Sequence, residues 1–101
     1  MSIQIGNYTA EGPFGNVDAL RAQSGVYVIL GRNNVGADWN VVDVGESKDI
    51  HERVKNHDRA PCWRGRGHTE LNVAAIYADE FSRMRIEREL RGQFNPPCGQ
   101  V

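Results

Sequence analysis

Five consecutive apolar residues, Val26-Tyr27-Val28-Ile29-Leu30, set the tightest limit on how this chain folds. The run has strand length and β-branched content, and it is apolar on both of its alternating faces. A strand of that kind needs cover above and below its sheet. Ser24-Gly25 breaks the chain before it, and the turn-rich Asn33 to Asp38 reads as a hairpin loop into a second strand, Asn40 to Val44. Leu71 to Tyr77 alternates and reads as a third. The expected class is α/β (α+β): a small three-stranded, mainly antiparallel sheet flanked by helices.

A chain of 101 residues has room for one domain and a modest core. Its apolar content of 40% and charged content of 25% are those of an ordinary globular protein. No apolar run approaches bilayer length and no basic segment precedes an apolar one, so neither a membrane span nor a secretory signal is expected. Cys62 and Cys98 stand far apart and in no CxxC spacing, which argues against a disulfide framework or zinc site and for reduced thiols in the cytoplasm. The net charge of −1 excludes a global basic field. The basic residues are nevertheless clustered: Arg53, Lys55, Arg59, Arg64 and Arg66 face only Asp58, and Arg83, Arg85, Arg88 and Arg91 follow later.

Val41 to His57 is the stretch around which the chemistry gathers. Val41 to Val44 is strand, Gly45 allows a sharp turn or a close approach, and Ser47 is a good cap for a helix reaching about His57. Ile50 and Val54 form an apolar i, i+4 stripe, and Arg53 and His57 form a second pair beside it. A cation and an imidazole next to a strand end suit a phosphate, although such a pair also describes a plain solvated face. Asp43, inside a valine run, either faces solvent or is buried with a partner.

Elsewhere the pattern is plainer. Ile3, Ile5 and Tyr8 fit a short edge strand, Gly12 to Gly15 a turn, and Asn16 the cap of a brief helical segment to Ala22. Arg59 to His68 holds a Pro, two Gly and three Arg around Trp63, and is expected to be a surface loop. Arg interleaved with Trp suits a nucleic-acid groove, with Lys55, Arg59, Trp63, Arg64 and Arg66 in contact; an ordinary loop with one anchoring Trp has the same composition. A last helix from about 80 to 94, capped by Asp79 or Ser82, places Met84, Ile86, Leu90 and Phe94 toward the core, and Pro96-Pro97 ends it.

Gly25-Val26-Tyr27 in the first strand, Asp43-Val44-Gly45 ending the second, Arg53 and His57 after it, Glu87-Arg88-Glu89-Leu90 in the late helix and Phe94-Asn95-Pro96-Pro97 follow a familiar order. Over roughly residues 25 to 98 this resembles the GIY-YIG nuclease superfamily, with residues 1 to 24 as an N-terminal extension of one domain. The resemblance implies that Tyr27 positions or deprotonates the attacking water, Arg53 stabilises charge on the phosphate, His57 lies in the site rim, and Glu87 binds one Mg²⁺ or Mn²⁺. It implies metal-dependent hydrolysis of DNA. A phenol, a guanidinium, an imidazole and a metal-bearing carboxylate meet the needs of that reaction. Read without the family, Glu87 is an i, i+4 ion-pair partner of Arg83 or Arg91.

The sequence departs from the family pattern at Asp43, where a tyrosine is expected, and at Gly99, where an asparagine is. Asp43 then reads as a general base, a second metal ligand, or the mark of a silent module that binds nucleic acid or a protein. Paired Asp43 and Glu87 carboxylates describe an enzyme of altered chemistry. Specificity is expected to come from the chain's own loops or from a protein partner.

Overall fold

The computed structural model describes residues 1–99. Among them lie five strands, β1 (Ser2–Ile5), β2 (Tyr8–Phe14), β3 (Gly25–Arg32), β4 (Asn40–Ser47) and β5 (Glu70–Tyr77), and three α-helices, α1 (Ile50–Lys55), α2 (Ala60–Gly65) and α3 (Glu80–Phe94). All strands join one antiparallel sheet in the order β1-β2-β5-β3-β4. The α+β class holds, but the expectation of three strands does not. Ile3, Ile5 and Tyr8 belong to a whole hairpin, and the supposed turn at Gly12-Pro13 lies within β2, where the ladder to β5 shifts between Glu11 and Phe14. Pro13 brings no N–H to the ladder, which suits it to an irregular position.

β3 is buried from Gly25 to Gly31, as its two apolar faces require. Val26, Val28 and Leu30 face one core, shared with Ile86 and Leu90 of α3. Tyr27 and Ile29 face the other, shared with Ile50 and Val54 of α1 and Trp63 of α2. The helices thus cover the sheet on both sides.

Local chemistry accounts for the helix bounds. Asp49, rather than Ser47, caps α1 by accepting the N–H of Glu52 at 3.1 Å, while Ser47 remains in β4. Residues 59–68, expected as loop, contain α2: Pro61 sits in its first turn, where a missing N–H costs nothing. Asp79 caps α3 through the N–H of Ser82. Met84 is 48% exposed rather than in the core, and the i, i+4 pair Ile86 and Leu90 carries the burial.

The expectation of reduced thiols is also overturned, because Cys62 and Cys98 form a disulfide. Sequence separation concealed a fold that brings α2 and the C-terminal tail together, with Cα atoms 6.0 Å apart. No helix among the described residues is long and apolar enough to cross a membrane.

β5 passes so close to Gly25 that a Cβ there would lie 2.5 Å from the Ile76 carbonyl oxygen, whereas a Cβ at Gly92 in α3 would meet nothing within 4 Å. Gly25→Ala should therefore destabilise the protein by about 2–3 kcal/mol through overpacking against backbone. Gly92→Ala should stabilise it by about 0.5–1 kcal/mol through helix propensity. Urea unfolding of the two variants checks both signs.

Candidate active site

A one-residue irregularity in β4 builds the site. The β3–β4 ladder pairs Ile29 with Asp43 and Leu30 with Val41, so Val42 is the extra residue. Such a bulge re-aims side chains. Here Asp43 shares a face with Ile29, and Gly45 shares it with Tyr27. Tyr27 lies directly over Gly45: a Cβ at that position would be 2.0 Å from the phenol oxygen. The glycine is required by close approach.

Asp43 is fully buried. Its Oδ1 accepts the N–H of Val44 at 2.8 Å, Arg91 Nη2 at 2.7 Å and Arg59 Nη2 at 3.3 Å. Its Oδ2 accepts Arg59 Nε at 2.8 Å and Trp63 Nε1 at 2.7 Å. Of the two readings open for this residue, burial with partners is the one found. Both oxygens are occupied by donors, which leaves no lone pair directed at a substrate water or a metal. Asp43 therefore acts on its neighbours and has neither the geometry of a general base nor that of a metal ligand.

His57 is buried behind Tyr27 rather than in a rim, and Nε2 lies 2.5 Å from the phenol oxygen. Its Nδ1 accepts the backbone N–H of Arg59 at 2.9 Å, which assigns the proton of the neutral ring to Nε2. His57 then donates to Tyr27, whose own hydroxyl proton is left for another acceptor. Burial, reinforced by Arg53 and Arg59, pushes the His57 pKa down to about 4. Burial pushes the Tyr27 phenol up to about 12, against the opposing pull of Arg59. At neutral pH both groups are uncharged.

In front of this network lies a cavity of about 330 Å³ lined by Tyr27, Gly45, Glu46, Arg53, Arg59, Glu87, Arg91 and Gly99. Three guanidiniums and two carboxylates reach it. Arg53 Nη2 donates to Asp58 at 2.8 Å, an exposed pair that an incoming anion can replace at little cost. Glu87 Oε2 accepts Arg91 Nε at 2.8 Å, the ion pair expected from i, i+4 spacing. Arg83 is paired with Glu46 at 3.0 Å. Arg83, Glu87 and Arg91 form one four-residue-spaced stripe of α3 turned toward β4.

The fold therefore brings Tyr27, Arg53, Arg59 and Glu87 to one cavity, with His57, Asp43 and Trp63 behind it. Trp63 is only 7% exposed, its ring 4.7 Å from that of His57, so it cannot serve as an open platform for bases. Lys55, Arg64 and Arg66 remain exposed on and after the short helices. Arg91, Glu46 and the packing of Gly99 were not anticipated as parts of the site. The spacing of Arg91 from Glu87 was the available signal for the first. Gly99, at φ +80°, lies where a Cβ would come within 2.9 Å of Asp43 Oδ1, so a larger residue there would press on the Asp43 cluster. Among the described residues no group of three or more His, Cys, Asp or Glu is placed to hold a metal ion.

No protein-family model, curated protein or solved structure matches this chain.

Two outcomes follow from the buried network. Asp43→Ala leaves Arg59 without its carboxylate and Arg91 with Glu87 alone, and should cost about 3–5 kcal/mol in urea unfolding. A native His57 pKa near 4, against about 6.5 when unfolded, means that the unfolded chain binds the extra proton between those values. The stability contribution is complete above pH 6.5 and falls toward pH 4, by on the order of 3 kcal/mol. His57→Gln should flatten that segment of the stability–pH curve.

Proposed function

We propose that this protein is a divalent-metal-dependent endonuclease that hydrolyses DNA phosphodiester bonds. The observation that carries the reading is the convergence of Tyr27 from β3, Arg53 from α1 and Glu87 from α3 on one cavity floored by Gly45. These residues are separated along the chain, and each occupies the position that the GIY-YIG resemblance gives to a working group.

Glu87 is the residue that would hold one Mg²⁺ or Mn²⁺. Glu87 lies on the cavity wall with Oε2 engaged by Arg91, and no other hydrogen bond to this carboxylate is found among the described residues. One carboxylate suffices for Mg²⁺, which keeps several of its waters. A metal bound there supplies a Lewis acid for a phosphoryl oxygen. The remaining work belongs to the side chains. Tyr27 receives the His57 proton donor and directs its own hydroxyl proton to a substrate oxygen or a water. Burial, which pushes its pKa up to about 12, keeps it a neutral phenol at rest, suited to orienting the water. Arg53 and Arg59 meet charge that grows on the phosphate: Arg59 is held in place by Asp43, and Arg53 exchanges its exposed Asp58 partner for the anion. Asp43 supports this by anchoring Arg59 and Arg91. Exposed Lys55, Arg64 and Arg66 extend the positive surface along the DNA backbone.

A second reading rests on Arg91. Its guanidinium occupies Glu87 Oε2 and brings positive charge next to the proposed metal position. That arrangement favours a module that binds nucleic acid, or a protein partner, without cutting.

The deciding assay offers plasmid, linear and branched DNA to the purified protein with Mn²⁺ or Mg²⁺. Cleavage is expected, abolished by chelator and lowered at least about 100-fold by Tyr27→Phe or Arg53→Ala in folded protein. Intact DNA of every form with folded wild type contradicts the nuclease. Salt-sensitive binding weakened by joint removal of Lys55, Arg64 and Arg66 then supports the silent module.

A further inference from the structure

The proposed chemistry makes no use of the Cys62–Cys98 disulfide, yet Trp63 and Gly99, which stand next to its two cysteines, both touch the site. Cys62 is exposed on α2, and Cys98 is buried in the C-terminal tail. Trp63, beside Cys62, donates its indole N–H to Asp43 Oδ2 at 2.7 Å. Gly99, beside Cys98, seals the cluster from the other side, where a Cβ would meet Arg91 Nη2 at 2.5 Å and Arg59 Nε at 2.9 Å. Cys98 itself donates its N–H to the Val42 carbonyl at 3.0 Å, at the bulge that aims Asp43, and its carbonyl accepts Arg91 Nη1 at 3.4 Å. The disulfide therefore joins the two walls that enclose the buried carboxylate. β4 is an edge strand, so among the described residues no further strand holds those walls in place.

From this placement we propose that the disulfide is a redox latch on the site. The inference rests on the functional reading above for what the site does, and on geometry alone for what the latch holds. In the oxidised protein, α2 and the tail enclose Asp43, exclude water from its ion pairs, and fix Arg59 and Arg91 at the cavity. A dithiol reductant opens the latch. Its thiolate attacks the sulfur of Cys62, the more exposed of the two residues, the Cys62–Cys98 bond breaks, and Cys98 leaves as a thiolate that takes up a proton. The reductant's second thiol then displaces Cys62 from the mixed disulfide. Two electrons pass to the protein, yielding two protein thiols and one oxidised reductant. A disulfide with one cysteine on an exposed helix face is approached from that side. Once the bond is broken, the tail and α2 separate, water reaches Asp43, and the cavity loses its fixed cations.

The test compares the oxidised protein, the same protein in dithiothreitol, and the Cys62→Ser/Cys98→Ser double variant. Hydrogen exchange is followed by NMR, in which the indole N–H groups of Trp39 and Trp63 report separately. Reduction should speed exchange of the Trp63 indole N–H and the residue 98 amide at least about tenfold, with the amides of Val28 and Ala74 unchanged. Plasmid cleavage with Mn²⁺ should fall at least about tenfold and return on reoxidation, while the double variant stays at the reduced level in both conditions. Unchanged exchange at Trp63 and residue 98 overturns the latch. So does loss of all tertiary signals on reduction, which would make the bond a support of the whole fold, and so does faster exchange with undiminished cleavage. Should the double variant not fold, the reversible reduction of the wild type decides alone. If the oxidised protein cuts no DNA, the nuclease reading fails, and the exchange rates still decide whether the bond locks the Asp43 cluster.

Discussion

Asp43 lies with its two carboxylate oxygens between Arg59 and Arg91, three side chains drawn from β4, the α1–α2 turn and α3. Moving a carboxylate out of water is costly unless charge and hydrogen bonds replace the lost hydration. Here two guanidiniums, an indole N–H and a backbone N–H do so. The consequences reach much of the structure. Arg91 links to Glu87, Arg59 reaches Tyr27 at 3.5 Å, and the Arg59 N–H fixes the tautomer of the histidine behind that tyrosine. One buried carboxylate can thus set the geometry of several side chains that line the cavity.

The division between faces explains how a chain this small holds such a cluster. α3 and the hairpin β1–β2 complete an apolar core on one side of β3, where Val26, Val28 and Leu30 are dry. On the other side, α1 and α2 are each short, and their packing leaves Tyr27, His57 and Trp63 in contact around the carboxylate. Polar groups are concentrated at the edge strand, where the bulge at Val42 turns Asp43 inward. The cavity opens beside that edge, with cations from α1, the α1–α2 turn and α3. A rigid apolar half supports an electrostatically organised half, as precise placement of charged groups requires.

Some of this was legible in the residues. The two-faced strand at Val26 to Leu30, its hairpin partner, the third strand and the last helix all follow from periodicity and from turn and cap chemistry. The hairpin at residues 2–14 was harder, because Pro13 and two nearby glycines read as turn while the backbone runs on through an irregular ladder. In α2, Pro61 looked like a helix breaker but occupies a first turn that tolerates it. Of the cavity residues, Tyr27, Gly45, Arg53 and Glu87 stand in the motif order, whereas Glu46, Arg59 and Arg91 do not, and the hydrogen-bonding partners are not visible there either. Whether a carboxylate is exposed, coordinates a metal or is buried between two arginines depends on contacts between distant segments, and Arg59 and Arg91 are far from Asp43 in the chain. The same long-range closure brought Cys62 to Cys98 despite a separation of 36 residues.

The central claim is that Asp43 builds the site and Glu87 works in it. The most direct measurement is calorimetric titration of Mn²⁺ into wild type, Glu87→Gln and Asp43→Asn, each shown to be folded at the temperature used. The account predicts that the wild type binds one ion, that Glu87→Gln loses it, and that Asp43→Asn keeps it with reduced protein stability. Loss of Mn²⁺ in a folded Asp43→Asn protein, or full retention in Glu87→Gln, would contradict it.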